Sequence, residues 1–84
     1  MIPAIGGSVL VLVDPEQNGG QDAAVAFITA VWPDEAVNVR VFPNTPGPEY
    51  QLSGVRLYQT RQGALAGQRG GLLSAYPVEY LQAE

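Results

Sequence analysis

The chain has no cysteine, no histidine and no lysine, so its side-chain positive charge rests on Arg40, Arg56, Arg61 and Arg69. Each absence removes a class of chemistry. Without cysteine there are no disulfide staples, thiolate metal sites or Cys-His pairs. Without histidine or lysine, Ser8, Ser53 and Ser74 have no general base to activate them as nucleophiles. The lack of cysteine also fits a reducing compartment. Four cations against eight acidic residues give a net charge of −4, the wrong sign for nonspecific nucleic-acid binding. Long apolar runs are missing as well. Those present, Val9 to Val13 among them, are far too short to span a bilayer, and the N-terminus shows no cationic n-region or recognisable cleavage site. These features predict a soluble, non-exported protein that is not an enzyme and has no catalytic residues, cofactor, metal, nucleic-acid partner or membrane partner. An 84-residue chain is a single domain that buries only about 60–65% of its unfolded surface.

What the sequence does have is β pattern. Asp22 to Phe42 reads as two strands joined by a tight turn at Trp32-Pro33-Asp34-Glu35. In the first, Val25, Phe27, Thr29 and Val31 share one face and Ala24, Ala26, Ile28, Ala30 and Trp32 the other. In the second, Val37, Val39 and Val41 alternate with Asn38, Arg40 and Phe42. A helix over Ala23 to Val31 competes with the first strand because of its alanines, but Pro33 and the valines after it weigh against that alternative. Phe27 and Val39 are expected in the core, where truncation to alanine costs about 2–4 kcal/mol.

Met1 to Gly7, with Pro3, Gly6 and Gly7, predicts an extended N-terminal arm over residues 1–7 that can lie on a neighbour. Ser8 to Val13 is a strand apolar on both faces, which needs cover on both. Asp14 to Gln21 is a dense turn signal in which Asn18, Gly19 and Gly20 can supply positive φ. Pro43 to Pro48 holds three prolines and predicts a stiff exposed loop. Tyr50 to Tyr58 predicts a fourth strand, with Gly54 marking a bulge or a close backbone approach. Gln59 to Gly71 is rich in glycine and glutamine and reads as a long flexible loop. Leu72 to Leu81 reads as a last short strand interrupted at Pro77. Five short strands with turn signals between them predict an all-β fold, a small SH3-like antiparallel barrel in one domain.

Few residues group in a way that could carry chemistry. Asp14-Pro15-Glu16-Gln17-Asn18-Gly19 matches the opening of a calcium loop, but Val25 stands where a bidentate glutamate belongs, which leaves a solvated hairpin turn. Asp34 and Glu35, adjacent at a turn, point apart and do not make an acid–base pair. Trp32, Tyr50, Tyr58, Tyr76 and Tyr80 can form either an aromatic groove or the core and rim of the barrel, and small size favours core and rim. Met1, Ile2 and Ile5 in the arm, and Arg61 and Arg69 in the glycine-rich segment, are the residues expected to touch a partner.

The runs VDPEQN at Val13 to Asn18 and DAAVAFITAVWPDEAVNVRVFPN at Asp22 to Asn44 resemble a group of small bacteriophage-encoded proteins with a TAVWPDxxVNxxVFP core. The chain departs from their pattern at Gly20-Gln21-Asp22, where histidines often stand, and at Ala75-Tyr76-Pro77-Val78, where a Trp-His-Trp type of ending is usual. The resemblance implies an SH3-like barrel and a place in the phage particle. The expectation that follows is a capsid decoration or head-fibre protein, assembled in the host cytoplasm, that binds phage structural proteins; a homo-oligomer, such as a trimer at a lattice axis, follows from the general preference for closed symmetry. The alternative is a phage-encoded binding module outside the virion that captures a host protein.

Overall fold

The computed structural model describes residues 4–78. They form β1 (Ser8–Leu12), a short 3₁₀ turn η1 (Pro15–Gln17), β2 (Ala23–Trp32), β3 (Ala36–Phe42), β4 (Tyr50–Leu57), helix α1 (Arg61–Arg69) and β5 (Ser74–Pro77). The strands close into a five-stranded barrel in the order β1-β2-β3-β4-β5, an all-β, SH3-like architecture with one short helix. Neighbours pair antiparallel around the barrel except at the closing seam, where β5 runs parallel to β4 through Arg56↔Ser74 and Leu57↔Ala75.

The barrel interior is built from Val9, Val11, Ala24, Ala26, Ile28, Val37, Val39, Val41, Val55, Leu57 and Ala75. A barrel of five strands is narrow, so β-branched and small side chains fill it and larger rings do not fit. This sets the orientation of β2, whose alanines and Ile28 face in. Phe27 therefore faces out and is 42% exposed, contrary to the expectation that it belongs to the core. Val39 is completely buried, as expected.

Strand β1 shows how a strand apolar on both faces is accommodated. Val9 and Val11 turn into the barrel. Leu12, with Leu10 beside it, turns outward into a second cluster with Ala64 of α1 and Tyr76 of β5, to which Tyr58 and Leu65 add. Helix α1 is thus the outer cover that β1 requires.

The helix is the main correction to the sequence reading. The segment expected to be a flexible loop over Gln59–Gly71 holds nine helical residues. Thr60 caps it by accepting a hydrogen bond from the Gly63 amide at 3.0 Å, Arg69 sits in its last turn and Gly70 ends it. Its glycines permit close packing. A Cβ on Gly67 would collide with the Tyr58 ring and hydroxyl, so glycine lets the helix lie directly on that side chain.

Residues 4–7 also differ from an extended arm. They turn back on themselves, the Gly7 amide donating to the Ala4 carbonyl at 2.9 Å. They extend the ladder to β2 through Gly6 N–H to the Ile28 carbonyl at 2.7 Å and Ile28 N–H to the Gly7 carbonyl at 2.9 Å. Gly54 does mark a bulge. It has φ +69° where the β3–β4 register shifts between Val37 and Val39, and its amide donates to Asn38 Oδ1 at 3.1 Å. Residues Pro43 to Pro48 form the irregular connection expected of them. The last strand spans Ser74–Pro77, and the rest of its expected range, from residue 79 on, lies outside the described residues.

Candidate binding surfaces

Two surfaces stand out, one on the barrel wall and one at its seam. On the wall, several outward positions of β2 and β3 are apolar where a barrel in water would ordinarily present polar groups. Val25 is 41% exposed, Phe27 42% and Phe42 39%. Val25 stands opposite Phe42 in the ladder, and Phe27 opposite Arg40. The two phenyl rings meet edge to face, centroids 5.4 Å apart at 78°, a geometry in which the positive edge of one ring meets the negative face of the other. Further along the wall, Trp32 is exposed, but its indole N–H donates to Asn38 Oδ1 at 3.0 Å, which fixes the ring.

At the seam, an open groove of about 410 Å³ is lined by Leu12, Val13, Asp14, Gln17, Asn18, Tyr50, Leu52, Gln68 and Leu73. Its base is held by Asn18, a buried polar residue that the sequence places in a turn signal and in the calcium-like run. Asn18 has φ −133°, and the positive φ values fall on Gly19 and Gly20. Its side-chain amide donates to the Gln21 and Ala23 carbonyls at 2.9 and 3.2 Å. Its Oδ1 accepts from the Asn44 amide at 2.6 Å. Next to it, a Cβ on Gly19 would overlap the Asn44 carbonyl at 2.5 Å, so glycine is required there for space as well as for φ.

These bonds decide the fate of the calcium-like run. Asp14 Oδ1 accepts from the Glu16 amide at 3.0 Å and caps η1, while Asn18 Oδ1 is already taken by Asn44. The run is a capped turn stapled to the β3–β4 connection.

The expected partner residues are separated by the fold. Met1 and Ile2 lie outside the described residues. Ile5 is 73% exposed at the turn before β1. Arg61 faces its own protein. Its guanidinium donates to Tyr76 Oη at 2.7 Å and to Asp22 Oδ2 at 2.5 Å, and it lies 5.8 Å from the centroid of the Tyr76 ring. The hydrogen bond to Asp22, then that to Tyr76, raises the Arg61 pKa above its ordinary value. A cation in the first turn of a helix opposes the helix dipole, and Asp22 supplies the counter-charge. Arg69, in the last turn, is exposed and makes no ion pair among the described residues.

The aromatic residues do not gather either. Tyr58 and Tyr76 lie under α1, Trp32 stands on the outer wall, Tyr50 lines the seam groove, and Tyr80 lies outside the described residues. Asp34 and Glu35 both adopt left-handed backbone, φ 67° and 60°. Their carbonyls accept from Arg56 Nη1 at 2.6 Å and from the Leu57 amide at 2.9 Å, so this pair shapes a turn. The apolar wall is hidden in the sequence because outward apolar residues cannot be told from inward ones until the inward face is known, although the alternation of Val25 and Phe27 with small residues is a usable signal.

No family model, no curated protein and no solved structure matches the chain.

Proposed function

We propose that this protein is a small adhesive module of a bacteriophage particle, a capsid decoration or head-fibre protein that works by protein–protein binding. The observation that carries the binding role is the outer wall of β2 and β3, where Val25, Phe27 and Phe42 stand together with Arg40 alongside. Leaving rings on a surface costs solubility, and an exposed apolar patch on a small domain marks an interaction site. The phage setting rests on the resemblance in the TAVWPDxxVNxxVFP core. Copies on a lattice can sum individually weak contacts, and a closed ring such as a trimer follows the general preference for closed symmetry.

The test is co-sedimentation of the purified protein with particles or empty shells of the phage that encodes it, with mass spectrometry of the virions. Binding that falls in Phe27→Ser and Phe42→Ser supports the reading. Absence from particles, with expression during infection and stoichiometric capture of one host protein, replaces it with a binding module that acts outside the virion.

A further inference from the structure

The seam groove exists because β5 is shorter than the gap it fills. β5 stands between β1 and β4, and its four residues pair only with Val9 to Val11 on one side and Arg56 to Leu57 on the other. Before Ser74 the chain leaves this position toward α1, the Arg56 amide donating to the Leu73 carbonyl at 2.8 Å. The eight-residue β4 therefore has an edge, from Tyr50 to Val55, with no strand on that side among the described residues.

The alternation of the ladder fixes which groups this edge presents. The Leu57 amide bonds to the Glu35 carbonyl, and Val55 stands opposite Val37, Leu52 opposite Val39 and Tyr50 opposite Val41. In an antiparallel ladder every second residue bonds to the same neighbour, so Leu52 and Tyr50 bond to β3. The main-chain N–H and C=O of Gln51 and Ser53 then face away from β3, toward the strand position beside β4 that β5 does not reach. The groove beside them is lined by apolar side chains from Val13, Tyr50, Leu52 and Leu73, and among the described residues the only charged side chain lining it is Asp14.

We infer that the groove is an acceptor site for a β-strand. An extended segment of a partner protein continues the position of β5, exchanges main-chain hydrogen bonds with Gln51 and Ser53 and places alternate apolar side chains among Val13, Leu52 and Leu73. Charge complementarity defines the rest of its chemistry, because Asp14 and a net charge of −4 select an arginine or lysine at the groove rim. Strand addition of this kind draws affinity from the main chain and specificity from pockets for alternate side chains. The site lies at the seam, apart from the apolar wall of β2 and β3, and stands or falls independently of it.

The test is selection from a displayed library of short random peptides on the immobilised full chain, followed by amide exchange with a synthetic copy of the enriched peptide. The expected peptides alternate apolar residues, lack proline within the alternating run and carry Arg or Lys. Bound peptide slows exchange at Gln51 and Ser53 by about tenfold or more. Ser53→Pro, which removes a donor on the open edge, and Tyr50→Ala, which trims the wall, both weaken binding while circular dichroism shows the barrel intact. Asp14→Asn keeps the oxygen that caps η1 and abolishes only the preference for a basic residue. No enrichment over a blank surface, enrichment of proline-rich or helical peptides, or binding that survives both Ser53→Pro and Tyr50→Ala or protects the β2–β3 wall instead overturns the inference.

Discussion

Asn18 and Asn44, separated by twenty-six positions, are joined by a hydrogen bond of 2.6 Å from the main chain of one to the side chain of the other. Because the remaining donors of Asn18 are used within its own turn, this one buried side chain ties the β1–β2 connection to the β3–β4 connection. Asn18→Ala strands the two carbonyls and the Asn44 amide, and a buried polar group left unpaired costs about 1–3 kcal/mol each. The expected loss is about 2–4 kcal/mol in urea unfolding. Asn18→Asp is expected to do no better, since a carboxylate cannot donate to the Gln21 and Ala23 carbonyls.

Gly67→Ala sets helix propensity against packing. Alanine favours a helix interior over glycine by about 1 kcal/mol, but its methyl would overlap the Tyr58 ring and hydroxyl. Overpacking of this kind costs about 1–3 kcal/mol, so net destabilisation is expected. Tyr58→Phe in the same background should recover part of it. A stabilised Gly67→Ala protein would show that α1 can lift from the barrel.

The two helix arginines should separate cleanly. Arg69→Ala is expected to leave the thermal midpoint nearly unchanged, whereas Arg61→Ala breaks the links to Asp22 and Tyr76 and lowers it. The pair is part-exposed, so its share is about 1 kcal/mol or less and shrinks with added salt. Arg61→Lys restores little, because an ammonium cannot span both partners as the planar guanidinium does. The raised Arg61 pKa fixes the pH sign. This contribution is complete below the pKa of a free guanidinium and is lost only as pH rises through the still higher folded value. Stability should therefore not change on account of Arg61 between neutral pH and moderate alkali, which thermal scans across that range will check.

Truncations should sort by the side of the barrel wall they touch. Ile28→Ala and Val39→Ala empty space in the closed interior and should cost about 2–4 kcal/mol. Phe27→Ala, on the outer wall, should cost about 1 kcal/mol through the lost edge contact with Phe42. Equal losses at Phe27 and Ile28 would contradict the register.

The strands were legible in the sequence because each announces itself locally. Val37, Val39 and Val41 alternate strictly, Gly54 interrupts a strand where the bulge falls, and turn residues separate the elements. The face of β2 was ambiguous because both sides are apolar, and only the narrowness of the closed barrel decides that alanine goes in and phenylalanine out. The helix was hidden for a related reason. Gly63 and Gly67 lower intrinsic propensity, and what offsets this is tertiary, the burial of Ala64 against Leu12 and Tyr76, a contact between segments far apart in sequence. For the candidate sites, Arg61 could not be told from Arg69 without knowing that Asp22 and Tyr76 converge on it. The seam groove is a difference in length between β4 and β5, a property of pairing that no single stretch contains.

The antiparallel pairing of β1 with β5, with Val9 opposite Pro77, has a practical corollary for anyone rearranging the gene. Polypeptide entering the first strand and polypeptide leaving the last do so side by side at one rim of the molecule. A short bridge from the end of β5 to the start of β1, with new ends opened among residues 45–48, is the permutation this topology should tolerate best.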